Sequence, residues 1–154
     1  MAHGRTNASF SFAGQEAANR LAWREDMGKL VLRVAVAALI LLHGIAKIRH
    51  GLGDVATAMA RANLPYYVGY LIYVGEVLAP ALMIVGLWTR PAAAIVAATM
   101  LVALVLGHPR EVFLLTDHGG LLLEVQWMFM LGALAVALLG AGRFSLGREY
   151  GRWN

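Results

Sequence analysis

Four apolar runs are set into an otherwise polar chain, at about Leu30–Ile48, Tyr66–Trp88, Ala92–Gly107 and Leu121–Leu139. A helix needs on the order of 20 residues to cross a hydrocarbon core. The runs therefore predict an all-α fold, a transmembrane four-helix bundle. Ala35, Ala37, Ala38, Gly75, Ala79, Ala93, Ala97 and Gly132 lie in these runs. Small residues of this kind let helices approach closely in lipid. The segment from His50 to Leu64 is too long for a tight turn. It predicts a short amphipathic helix between helices 1 and 2, capped by Asp54, with Val55, Met59 and Ala62 on one face. Pro65 then stands in the first turn of the next span. The chain divides into a polar N-terminal arm (1–29), a four-helix transmembrane domain (30–140) and a basic tail (141–154).

Composition sharpens this picture. Of the 154 residues, 60% are hydrophobic and only 14% charged, and the mean hydropathy is +0.65. An average soluble domain is roughly a quarter charged. These values exclude an ordinary soluble enzyme, a disordered tail and a nucleic-acid-binding domain, and they make the lipid bilayer the first partner. Cysteine is absent, which removes disulfides, thiolate chemistry and cysteine metal sites. The arm is polar and its apolar run starts late, so no cleavable signal peptide is expected. Phe10, Phe12, Leu21 and Trp23 in the arm predict contact with the membrane interface.

Charge gives an orientation. Nine basic residues fall in the arm, the loop after span two and the tail: Arg5, Arg20, Arg24, Lys29, Arg33, Arg90, Arg143, Arg148 and Arg152. Four fall on the other side: Lys47, Arg49, Arg61 and Arg110. The positive-inside rule then places both termini in the cytoplasm.

Ionisable residues inside the spans are costly and usually face the bundle interior. Along the first span, His43 lies about 80° from Arg33, with Lys47 about 40° from each. These three share one stripe with Val36 and Ile40. Span two aligns Gly69, Tyr73, Glu76, Pro80 and Met83. Span four aligns Glu124, Met128, Leu131 and Ala135. Glu76 falls near the midplane, and Pro80 frees the Glu76 carbonyl by removing the helical bond to it. His43, Lys47 and Glu124 lie at similar heights near the outer surface, with His108 ending span three on that side. Lys47 and Glu124 are expected to pair. Arg33 reaches towards the cytoplasmic headgroups.

Glu76, His43 and Glu124 are the candidate proton-handling or catalytic groups. Lys47, Arg33, Tyr73 and His108 are the candidate ligand-binding groups. No metal site is predicted, since the Glu-x-x-His pairs of di-iron bundles are missing. A haem would require His43 and His108 to face each other across the bundle.

Together these residues resemble the DoxX family of small bacterial membrane proteins. The resemblance is carried by Arg33, His43-Gly44-x-x-Lys47, Gly75-Glu76, Gly86-x-x-Thr89-Arg90-x-Ala92-Ala93, His108, Phe113 and Glu124. It spans roughly Leu30 to Gly147. It implies an inner-membrane bundle tied to redox chemistry, as a small subunit of a quinone-reducing complex or a partner of oxidative-stress enzymes. On that reading a quinone is the candidate cofactor, and a soluble or membrane redox partner supplies the electrons. A second copy of the chain is an admissible partner. The alternative class is non-enzymatic: a scaffold, or a pathway for protons or small solutes.

Overall fold

The computed structural model describes residues 4–147, 153 and 154, the side chains of residues 4–13 excepted. It is all-helical. Helix α1 runs Gly4–His50, α2 Gly53–Arg61, α3 Ala79–Val85, α4 Thr89–Val102 and α5 Glu124–Leu139. The described residues contain no strand, only a bridge between Leu115 and Leu121. Three segments are long and apolar enough to cross a membrane: Gly14–His50, Tyr66–Val85 and Thr89–Gly107. The predicted fourth span is the shorter α5, whose 16 residues extend about 24 Å. It completes the bundle by packing on α4 and α1. Most of each spanning segment stays exposed on the bundle surface, and that outer face carries Leu39, Leu42, Leu78, Leu101, Leu134 and Leu138. An apolar exterior around an apolar core is the arrangement of a helical membrane bundle.

The arm does not form a separate unit at the backbone level. It is helical from Gly4 and continues without a break into the first span. The 47 residues of α1 make a rod of about 70 Å, twice the thickness of a hydrocarbon core. Leu21 and Trp23 are exposed on it; the side chains of Arg5, Phe10 and Phe12 lie outside the described residues, as do Arg148 and Arg152 in the tail.

The second span is one continuous rod built from three kinds of turn. Tyr66–Leu71 is a 3₁₀ segment, Val74–Leu78 is a π turn, and Ala79–Val85 is α-helical. The π turn ends two residues before Pro80, where the missing amide disrupts regular α bonding. The stripe expected on this span is the inward one: Gly69, Glu76, Pro80 and Met83 are buried and Tyr73 is half-buried. Gly86 closes α3 in the left-handed region, at φ 76°. Its amide reaches back to the Leu82 and Met83 carbonyls, a stop that glycine adopts without steric cost.

The core joins Val36, Ala37 and Ile40 of α1 to Ala79 and Met83 of α3, Ala92, Ala93 and Val96 of α4, and Ala133 and Val136 of α5. The inward stripe expected on the last span is therefore corrected. Met128 and Leu131 are exposed, while Ala133 and Val136 are buried. Glu124 opens the first turn of α5 and is itself exposed. There a carboxylate favours the helix N-terminus electrostatically without turning inward.

Helix α2 is present between the first two spans, as expected. Asp54 is not its cap, since Leu52 holds that position without a side-chain bond. Asp54 sits instead in the first turn, where its charge suits the helix dipole. Val55 and Met59 pack over Gly69, which ties α2 to the bundle.

Candidate functional site

The two buried-charge positions on α1, Arg33 and Lys47, are built differently. At the Lys47 end, Gly44 makes the site. A Cβ there would run into the Glu76 carbonyl and the Val77 side chain. Glycine thus lets α1 lie directly on the π turn of the second span. The Glu76 carbonyl, four residues before Pro80, therefore lies close against α1 at Gly44. On the opposite side of that turn, Gly75 admits the Thr99 side chain of α4. The Glu76 carboxylate is consequently held between α1 and α4, with 4% of its side chain exposed. One turn further along α1, Lys47 reaches down and donates to Glu76 Oε2 at 2.5 Å. Tyr73 donates to the Lys47 carbonyl at 3.4 Å.

The expected pairing of Lys47 with Glu124 is thus corrected. Equal height suggested Glu124, but the four-carbon lysine stem lets the ammonium descend a turn to the deeper carboxylate. That carboxylate is buried and demands a partner, whereas Glu124 at the helix end does not.

Lys47 and Glu76 face a cavity of about 1090 Å³. His43 stands on its wall, with Nδ1 bonded to the Leu39 carbonyl at 2.9 Å and the ring edge against Phe129, centroids 5.5 Å apart. His108 also lines the cavity and pairs with Glu111 at 2.9 Å. Helix α2 covers one side, presenting Asp54, Met59 and Arg61. Helix α5 contributes Gln126 and Phe129. Leu71, Val74, Ile95 and Val102 belong to the wall as well. All four are also exposed, so the cavity is open on the side between the second and third spans.

The structure therefore gathers His43, Lys47, Glu76 and His108 around one cavity. Tyr73 supports it through the backbone of Lys47. Glu124 and Arg33 are not among the lining residues. Arg33 lies about four turns away along α1, 1% exposed, and does not snorkel. Its Nη1 donates to the Ala141 carbonyl at 2.6 Å and its Nη2 to the Phe144 carbonyl at 2.7 Å. It caps the chain leaving α5, a structural role. Beside it, Asn154 Oδ1 accepts from the Thr89 amide and hydroxyl, and Nδ2 donates to the Gly86 carbonyl. The described part of the tail is thus packed onto the bundle.

Three contributors escaped the sequence reading: Gln126, the charged ends of α2, and Gly44 as the seat of a carbonyl. Gln126 is two residues from Glu124, hence on a different face of the same helix. No three His, Asp or Glu side chains among the described residues are grouped to hold a metal ion.

A family model described as DoxX matches residues 28–109, more than half of the chain, and the chain belongs to the DoxX family. The match contains Arg33, His43, Gly44, Lys47, Glu76, Thr89, Arg90 and His108, and ends before α5. No curated protein and no solved structure matches the chain.

Proposed function

We propose that this DoxX-family membrane protein binds a quinone or a similar small amphiphile in the cavity beside Lys47 and Glu76, as a redox-linked subunit whose electrons come from a partner. The observation that carries this reading is a buried carboxylate paired with a half-buried lysine, facing a largely aliphatic cavity with an open side between the second and third spans. Such a site suits a ligand with a hydrogen-bonding head and an apolar body. Lys47 has three donors and spends one on Glu76; the remaining protons can serve a carbonyl oxygen. The carboxylate has lone pairs left for a hydroxyl donor. The pair can therefore hold both the oxidised and the reduced form of a quinone head, and His43 on the same wall is suited to exchanging protons with it. The chain belongs in a bacterial inner membrane with both termini cytoplasmic, on the nine-to-four basic asymmetry.

Organic extraction of the protein purified in mild detergent tests the reading. A quinone recovered in near-stoichiometric amount supports it. A clean extract, together with no uptake of a short-chain quinone added to the apoprotein, overturns it in favour of a scaffold or solute pathway. Cysteines at Thr57 and Thr116 should label with an impermeant reagent in spheroplasts; labelling confined to the N-terminal arm inverts the orientation.

A further inference from the structure

The cavity wall carries a balanced set of charges. Lys47 stands against Glu76, and the roof helix α2 presents Asp54 and Arg61 at its two ends. His108, at the end of the third span, has Glu111 as its partner. His43 adds a ring whose Nδ1 already bonds the Leu39 carbonyl. Counting the imidazoles as neutral, the lining sums to zero.

The balance is also local. Glu76 holds the Lys47 ammonium at 2.5 Å and is itself nearly sealed from solvent. An anionic head entering here meets the Lys47 ammonium with the Glu76 carboxylate 2.5 Å behind it, so repulsion from the carboxylate offsets much of the attraction. It would still lose its hydration in full. An uncharged head with a carbonyl or hydroxyl loses far less and gains both partners.

We infer that Glu76 is a specificity-determining residue: by neutralising Lys47 it makes the cavity select amphiphiles with uncharged oxygen-bearing heads and reject those with carboxylate, sulfonate or phosphate heads. This rests on the cavity being a ligand site, and it adds what the site refuses and which residue refuses it. Its corollary is specific. Removing the charge of Glu76 while keeping its shape leaves Lys47 as an uncompensated cation, and the cavity becomes an anion site.

The test uses the full chain in phosphatidylcholine nanodiscs. Binding of a decyl-substituted benzoquinone and of decylsulfonate, which stays charged at every working pH, is followed by isothermal titration. The parent should bind the quinone and show no saturable sulfonate binding. Glu76→Gln should gain sulfonate affinity by at least about tenfold, and Lys47→Met/Glu76→Gln should lose that gain. Parent protein that binds the sulfonate as tightly as the quinone refutes charge selection while leaving the cavity as a ligand site. So does a folded Glu76→Gln variant without the gain. Parent protein that binds neither compound refutes the ligand site and this inference with it. The parent comparison decides the matter even where a variant does not fold.

Discussion

Helix α1 carries two cations on one stripe, and they do opposite work. Arg33 is sealed in, bonded to the Ala141 and Phe144 carbonyls, and forms no ion pair among the described residues. Lys47 keeps 28% of its side chain exposed, pairs with Glu76 and faces the cavity. The planar guanidinium suits the first task, because its rigid fork satisfies two carbonyl oxygens at once. The ammonium suits the second, because three rotatable donors leave protons free for a guest. One end of the bundle is therefore closed by hydrogen bonds and the other is left open. Ionisable residues at membrane depth are not equivalent evidence for a site; what they bond to decides which of them marks one.

The sharpest way to break this comparison is at the closed end. Arg33→Met removes two charge-assisted bonds and strands the buried Ala141 carbonyl, and should cost about 3 kcal/mol in detergent unfolding. Quinone affinity of the folded protein should not change. A variant that stays stable but no longer binds would invert the roles of the two ends.

At the open end, Lys47→Met deprives Glu76 of its partner and should cost about 2 kcal/mol, less than a fully dry pair because Lys47 is partly exposed. Adding Glu76→Gln should restore part of that loss. A cycle of Lys47→Met with Glu124→Gln should instead be additive within about 0.5 kcal/mol; coupling there would reinstate the pairing that the structure corrects.

Gly44→Ala forces α1 off the Glu76 carbonyl and should cost about 1.5 kcal/mol. It should also weaken quinone binding, because Lys47 moves with α1. Asn154→Ala removes bonds to Thr89 and Gly86 at the closed end. It should cost about 1 kcal/mol and leave binding untouched.

Much of this was legible in the sequence. Hydropathy located the helices, because membrane spans must be continuous and apolar. The inward faces of the first two spans were readable because each carries charge that lipid excludes: Arg33 and Lys47 in one, Glu76 in the other. The face of α5 was not, since nearly every residue from Val125 to Leu139 is apolar and lipid and core accept the same side chains. Glu124 was a false guide, lying at the helix end where a charge needs no burial. The partner of Lys47 was misread because height along a helix ignores the reach of a long side chain. The arm's helicity was hidden because its residues carry no hydrophobic run, yet the backbone simply continues the helix that the span nucleates.

The central claim is that the Lys47 end is a ligand site and the Arg33 end is not. The most direct measurement is photo-crosslinking with an azido-substituted decyl benzoquinone in nanodiscs, the adducts mapped by peptide mass spectrometry. The account predicts adducts on cavity-wall residues such as Met59, Met100 and Phe129, abolished by excess unlabelled quinone. Adducts confined to the outward positions Leu131, Leu134 and Leu138, and indifferent to competitor, would show a probe dissolved in lipid and contradict the account.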